Sequence, residues 1–441
     1  MVLALSFTVG SLRERLCVAL LSSPVCLAGC GGGGGRDSGE GTLTIHFHAL
    51  RQRISGFGAS SAWTAPNIDD ALADELFSVD SGIGLSLLRL RISPEGTSME
   101  LGTAEKAQAR GAGVWAAPWS PPGAWKDNGD PENGGSLLPD HYGDWAERLA
   151  SFARTTEDQG IPLMAISAQN EPDYEAEWET CRWTPEQLRE FIAEHLVPAL
   201  EAAGASTQII APEVAGWRGL QRFGDVLLAD PATRDAVAFV ALHGYNGDPF
   251  SYTTPAEHGK ELWMTEVSES RSQGGDVGMT SALWMARMLH DDLTIAGVSA
   301  WHYWWLLPRT DAGAGEPDNG ALLHEGELTR RAHVLGNYSK FVRPGWHRVD
   351  VAHAGAHPGV FVTAYRSAEA DRLAVVAINA GSTSARQHFD LEGAVSGELT
   401  PWMTNDARAL AMGPSVAGGA RFDYELPPRS VTTFVGSVSA E

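Results

Sequence analysis

From Gly56 to Trp305 the chain alternates short apolar runs with helical stretches, and it does so eight times. The runs are Gly56-Phe57-Gly58, Leu85 to Ile92 (LSLLRLRI), Val114 to Ser120 (VWAAPWS) and Ile161 to Ile166. They continue with Gln208 to Glu213 (QIIAPE), Ala238 to Tyr245 (AFVALHGY), Glu261 to Val267 and Gly297 to Trp305 (GVSAWHYWW). Helical patterns intervene, among them Ile68 to Phe77, Ala104 to Arg110, Asp140 to Glu157, Pro185 to Ala203 and Ser281 to Asp291. Near-continuous apolar runs are what strands buried on both faces require, and parallel strands need a crossover helix between them. The alternation therefore predicts an α/β barrel rather than an all-β sandwich. Such a barrel collects its chemistry at the C-terminal ends of its strands.

Two of the runs end in a carboxylate. Ile161 to Asp173 reads IPLMAISAQNEPD, and Pro172 disfavours a helical conformation at Glu171, so the strand is expected to stop there. Asn170 and Glu171 then stand at a strand end, with a hydrogen-bonding amide beside a carboxylate. Taken alone, Glu171 reads equally as the partner of a nearby arginine. Lys260 to Val267 (KELWMTEV) is a second apolar strand that ends in a carboxylate, Glu266. The two glutamates are 266 − 171 = 95 residues apart, room for about two further strand–helix units. Two carboxylates on one rim can face each other across a sugar. A pair about 5–5.5 Å apart suits retaining glycoside cleavage, one group serving as acid/base and the other as nucleophile.

The formal net charge of −23 argues against a nucleic-acid partner, which needs clustered Lys and Arg. Tryptophan is abundant, at 15 residues, and flat apolar rings suit both core packing and the stacking of sugars. At the N-terminus Arg13 and Arg15 precede an apolar run, Leu16 to Val25, too short to span a membrane. It leads into Leu27-Ala28-Gly29-Cys30, which resembles a bacterial lipobox, so residues 1–30 read as a signal peptide and Cys30 as a lipid anchor. Residues 31–41 form a glycine-rich linker. Cys17 and Cys26 would leave with the signal, which leaves Cys181 as a packing thiol and no intrachain disulfide.

Residues 42–55 alternate as a strand segment ahead of the barrel, expected over 56–340. Beyond it, residues 341–441 change character: Val360 to Tyr365, Leu373 to Asn379 and Ser430 to Val435 are β-type runs without helical period, which predicts a second, all-β domain. His243 and His302 lack metal-ligand spacing, so neither a metal nor a cofactor is expected.

The chain resembles glycoside hydrolase family 30, a clan A family, in its bacterial xylanase-like branch. The resemblance rests on Ala117-Pro118-Trp119-Ser120-Pro121-Pro122, Gln169-Asn170-Glu171-Pro172-Asp173-Tyr174, Leu262-Trp263-Met264-Thr265-Glu266 and Tyr338-Ser339-Lys340-Phe341-Val342-Arg343-Pro344-Gly345. It implies a (β/α)8 TIM barrel with a side-docked β-sandwich made from the C-terminal segment and a short N-terminal piece. It also implies Glu171 as acid/base and Glu266 as nucleophile, with Arg89 near the nucleophile, Asn170 on the sugar 2-hydroxyl, and His243 and Tyr245 at the family's His-x-Tyr. Trp119, Trp63, Trp183 and Trp305 are candidates for contact with sugar. Trp301, Trp304 and Trp305 share one strand, so alternation turns at least one of them away from the barrel interior.

The resemblance implies an enzyme acting on a β-linked polysaccharide, most closely an endo-β-1,4-xylanase; the N-terminal pattern predicts export and a membrane tie only through Cys30, and a monomer is expected. One departure bears on substrate. Where glucuronoxylan-specific members carry an arginine pair, this chain reads Leu306-Leu307-Pro308, with Arg309 one step late and an insert, Thr310 to Gly320, behind it. Fixed bidentate geometry is what makes arginine a carboxylate reader, so need for glucuronic acid branches is in question. The same machinery acting on a β-1,6-galactan, a β-1,6-glucan or a glucosyl lipid, and a catalytically silent glycan binder, are the alternatives.

Overall fold

The computed structural model describes residues 41–269, 276–308 and 320–440. The expected signal segment with Cys30, the linker up to residue 40, and Arg309 with the insert through residue 319 lie outside the described residues. Among the described residues, no helix is long and apolar enough to cross a membrane.

The first strand, β1 (Thr42–Arg53), precedes the barrel. Eight parallel strands then close on themselves: β2 (Gly56–Ser60), β3 (Leu87–Ile92), β4 (Gly113–Pro118), β5 (Ala165–Ser167), β6 (Gln208–Ile210), β7 (Val237–His243), β8 (Glu261–Glu266) and β9 (Ala300–Trp305). Each falls within, or nearly within, one of the eight apolar runs. Two are shorter than their runs. β5 holds three residues where six or more were expected, because Pro162 cannot donate to a ladder. β6 ends at Ile210, short of Pro212, for the same reason. The helix expected over Pro185 to Ala203 forms, with a π-helical stretch at Phe191–Leu196 ahead of Pro198.

Alternation sorts the barrel's side chains. On β3, Leu88, Leu90 and Ile92 join the layer between barrel and helices, whereas Leu87 joins the interior cluster. The interior is filled by Trp115, Trp263 and Phe239, the last two stacked with ring centroids 4.0 Å apart. This apolar plug closes the floor beneath the C-terminal mouth.

The second layer is a sheet of ten strands, antiparallel save at one junction. β1 lies inside it, antiparallel to His347–Ala352 and parallel to Ala385–Glu392, so the N-terminal piece completes the C-terminal sheet. Phe389 and Phe434 sit on distant strands of that sheet, yet their rings are 5.8 Å apart, so the sheet folds over its own core. Val362, Ala364, Val375 and Ala377 fill that core. The alternate residues Tyr365, Ala374, Val376 and Ile378 pack instead with the barrel's core, alongside the helices Met279–Asp291 and Arg330–Ser339.

Candidate active site

Five strands deliver charged side chains to the mouth, by three local devices. Arg89 arrives by simple period-two alternation from Leu87. His243 continues the inward series Phe239 and Ala241 on β7. Glu266 needs more than alternation. Trp263 faces inward and Met264 outward, so a regular strand would turn Thr265 in and Glu266 out. The pairing of β7 with β8 instead steps from Leu242↔Met264 to His243↔Glu266, an irregularity that re-aims Glu266 into the barrel. Glu171 and Glu213 lie beyond the ends of β5 and β6 in left-handed conformations, φ +46° and +58°. Such geometry costs a non-glycine residue about 1–3 kcal/mol and persists where surrounding bonds hold it. Here the Glu171 amide donates to Glu213 O at 3.0 Å, and the Glu213 amide to Ala241 O at 3.0 Å.

These side chains form one buried network. Arg89 donates through Nη1 to Glu266 Oε2 and through Nη2 to Asn170 Oδ1 at 2.5 Å and Glu213 Oε1 at 2.8 Å. His243 Nδ1 stands 2.9 Å from Glu171 Oε1, while its Nε2 faces Glu213 Oε1 at 3.5 Å and Glu266 Oε2 at 3.7 Å. Tyr245 donates its hydroxyl to Glu266 Oε1 at 2.8 Å. Carboxylate oxygens of Glu171 and Glu266 and a ring nitrogen of His243 all lie within 4.8 Å of one another.

The electrostatics follow from burial and count. Burial alone would strip the His243 proton, but Glu266, Glu171 and Glu213 outweigh it and push the imidazole up to about 10. Burial works against charge on Glu213 as well, and Arg89 and His243 reverse that to hold it below the usual range. Burial raises Glu266, with Glu171 adding to the rise while His243 and Arg89 oppose it. Glu171, His243 and Glu266 have the composition of a cation site. The Arg89 guanidinium and the protonated imidazole already supply positive charge there, so a metal does not fit.

A family profile described as the glycosyl hydrolase family 30 TIM-barrel domain matches residues 85–271. The chain is 30% identical over 444 residues to a glucuronoxylanase of Bacillus subtilis, covering 96% of this chain and 99% of that relative. It belongs to glycoside hydrolase family 30. Among solved structures it is similar to a family 30 subfamily 8 xylanase from Clostridium acetobutylicum, with a TM-score of 0.81 and 32% identity over 90% of this chain and 99% of that one. A family 30 endoxylanase from Clostridium papyrosolvens matches with a TM-score of 0.76 and 31% identity, covering 90% of this chain and 100% of that one.

The expected site residues of this glycoside hydrolase divide into three groups. Glu171, Glu266, Asn170, Arg89, His243 and Tyr245 converge on the mouth as described. Trp63, Trp119 and Trp304 form an aromatic cluster beside it, with centroids 5.0 to 6.2 Å apart, and the Arg89 guanidinium lies 4.5 Å over Trp119. Trp63 is partly exposed, whereas Trp119 is almost wholly buried. Trp183 is a correction. Its ring packs between Tyr142 and Phe191 and its Nε1 donates to Gln169 Oε1 at 3.2 Å, so it is a core residue beneath the loop.

Trp305 stacks on Trp304 and belongs to the same interior cluster as Trp119. Trp301 and Tyr303 turn outward as alternation requires. A register irregularity between Ala59 and Ser60 brings both Trp304 and Trp305 into the interior cluster. Cys181 is buried and its thiol is pushed up to about 12, as packing implies.

One residue of the network was missed from sequence. Glu213 closes the run QIIAPE, and its signal was available: a third carboxylate at the end of a barrel strand.

Proposed function

We propose that this enzyme is a retaining endo-β-1,4-xylanase in which Glu171 is the acid/base and Glu266 the nucleophile. The observation that carries the reading is the approach of one Glu171 oxygen to one Glu266 oxygen, within 4.8 Å beside His243. So close an approach suits a retaining pair, about 5–5.5 Å apart, rather than an inverting pair, about 6.5–9.5 Å apart, which holds a water between its members.

In the first step a Glu266 oxygen bonds to the anomeric carbon while Glu171 gives its proton to the departing glycosidic oxygen. In the second, a water attacks the glycosyl ester, its proton passes to Glu171, and the Glu266 carboxylate is released. Arg89 and Tyr245 each donate to one Glu266 oxygen, which fixes the attacking group and supports its charge. Because Asn170 Oδ1 accepts from Arg89, its amide N–H groups remain to donate to the sugar 2-hydroxyl. Trp63 offers the partly exposed ring at the mouth for stacking.

Xylan is favoured by the relatives, a glucuronoxylanase and two xylanases. Leu306, Leu307 and Pro308 stand where the branch reader would, and apolar side chains cannot bind a carboxylate, so we propose cleavage that does not depend on glucuronic acid branches. The N-terminal pattern supports export, with Cys30 as the lipid-anchored residue.

The test is a product profile on linear xylan, glucuronoxylan, arabinoxylan, a β-1,6-glucan and a β-1,6-galactan, with the anomer of the first product read by NMR. Internal cleavage of linear xylan and glucuronoxylan at similar rates, with β-anomers formed first, is expected. α-Anomers formed first would overturn the mechanism, and cleavage confined to a β-1,6-glycan would overturn the substrate.

A further inference from the structure

Glu213 is a fully buried carboxylate that the two-step reaction does not use, yet it touches both cations of the site. We propose that Glu213 is a positioning residue, a permanent counter-charge that lets Glu171 keep its proton beside Arg89 and His243; this rests on the reading of Glu171 as acid/base. Arg89 comes from β3, Asn170 and Glu171 from beyond β5, Glu213 from beyond β6, His243 and Tyr245 from β7 and just past it, and Glu266 from β8. His302 on β9 also lies near Arg89, and its burial keeps it neutral.

With Glu171 protonated, the network holds two positive charges, Arg89 and His243, and two negative, Glu213 and Glu266. Take Glu213 away and two cations face one fixed carboxylate. An uncompensated imidazolium 2.9 Å from Glu171 then favours its ionised form, and the general acid is lost before the reaction begins. The same count describes the second step. When Glu266 is esterified it loses its charge, the cluster becomes net positive with Glu171 protonated, and Glu171 is driven toward the base form that activates water. Glu213 thus sets a neutral starting point from which one covalent event switches the role of Glu171. Its geometry fits this task, since Oε1 lies 2.8 Å from Arg89 Nη2 and 3.5 Å from His243 Nε2, joining the cation beside the nucleophile to the cation beside the acid.

The experiment compares pH profiles of kcat/KM for the wild type, Glu213→Gln and Glu213→Asp on a xylo-oligosaccharide, whose leaving group needs protonation, and on a dinitrophenyl xylobioside, whose leaving group does not. The position of a limb does not depend on what fraction of a preparation is folded. For Glu213→Gln the alkaline limb on the oligosaccharide is expected to move down by about one pH unit or more, with turnover falling about tenfold further than on the activated glycoside. Glu213→Asp, which keeps the charge, is expected to restore the limb to near its wild-type place.

An unmoved limb in Glu213→Gln, with both substrates losing rate equally, would show a merely structural residue and overturn the proposal. Equal displacement in Glu213→Asp and Glu213→Gln would overturn it too. Undiminished hydrolysis of the oligosaccharide in Glu171→Gln would instead strike the catalytic assignment, which keeps the two failures apart.

Discussion

Tyr245 reaches Glu266 from outside the barrel: its hydroxyl donates to Oε1 at 2.8 Å while the residue as a whole is 41% exposed. Burial of the hydroxyl end, together with Glu266, holds the phenol well above its usual range, so it remains a donor throughout turnover. Tyr245→Phe removes one charge-assisted hydrogen bond, of about 1.5–3 kcal/mol, from the proposed nucleophile. Steady-state kinetics should show kcat/KM lowered about 10- to 100-fold with the fold intact by circular dichroism. A variant within a factor of two of wild type would remove Tyr245 from the machinery.

Trp63 adopts φ +59° and receives the Arg91 guanidinium 4.9 Å from its ring, while Glu100 accepts from its amide at 3.0 Å. A partly exposed indole so fixed is a rigid surface for a sugar ring. Trp63→Ala is expected to raise KM on xylan by about 3- to 10-fold, in line with the energy of one stacked aromatic contact, and to leave kcat within about a factor of three. Trp63→Phe should recover most of the loss. If kcat falls with KM unchanged, Trp63 acts on the catalytic groups and not on the chain of sugars.

The barrel was legible because buried parallel strands advertise themselves as apolar runs, and because a proline or a carboxylate marks where several of them end. Arg89 was legible through period two. Glu266 was placed at the correct strand end by its motif, but its inward aim depends on the irregular pairing between β7 and β8, which no residue pattern records. Glu213 was passed over because it stands alone, with no sequence neighbour that hints at Arg89 or His243. Trp183 misled by proximity. It follows Glu171 closely in sequence, yet the loop doubles back so that its amide donates to Pro172 O at 2.9 Å and its ring drops into the helix layer. The second sheet was anticipated from three runs, whereas Ala385–Glu392 and Arg421–Leu426 carry too many charges to stand out.

Two buried histidines give stability opposite slopes with pH. His302 accepts from Trp115 Nε1 at 3.0 Å, and burial pushes it down to about 3. The unfolded chain binds that proton first, so its stabilising effect is present above about 6.5 and lost as pH falls toward 3. His243, with its folded value raised to about 10, contributes fully below about 6.5 and loses that contribution as pH rises toward 10. Melting temperatures should therefore fall on both sides of neutrality. His302→Gln is expected to flatten the acid side and His243→Gln the alkaline side, whatever their melting temperatures at pH 7. An acid slope unchanged in His302→Gln would remove that histidine from the account.

Asn337 joins the barrel to the second sheet. From the helix Arg330–Ser339 it donates through Nδ2 to Trp402 O at 3.0 Å and Thr433 Oγ1 at 3.1 Å, and it accepts from the Thr404 hydroxyl at 2.7 Å. Thr433 returns a bond to the Asn337 carbonyl at 2.7 Å, so two neighbouring strands of the sheet, Thr400–Thr404 and Ser430–Ala440, hang on this one residue. Removing that amide takes the shortest acceptor from the Thr404 hydroxyl, leaving it the longer bond to His333 O at 3.3 Å, and takes one donor each from the Trp402 carbonyl and the Thr433 hydroxyl in a buried interface, at about 1 kcal/mol per bond lost. Asn337→Ala should lower the stability of the whole chain by about 2–4 kcal/mol in denaturant unfolding, and Asn337→Asp, which keeps the acceptor but not the donors, by an intermediate amount. Because the sheet's outer face also supplies Tyr365, Val376 and Ile378 to the barrel's own core, the loss should appear as one shifted transition. Two separated transitions, with the barrel's unchanged, would mean that the sheet is carried by the barrel without supporting it.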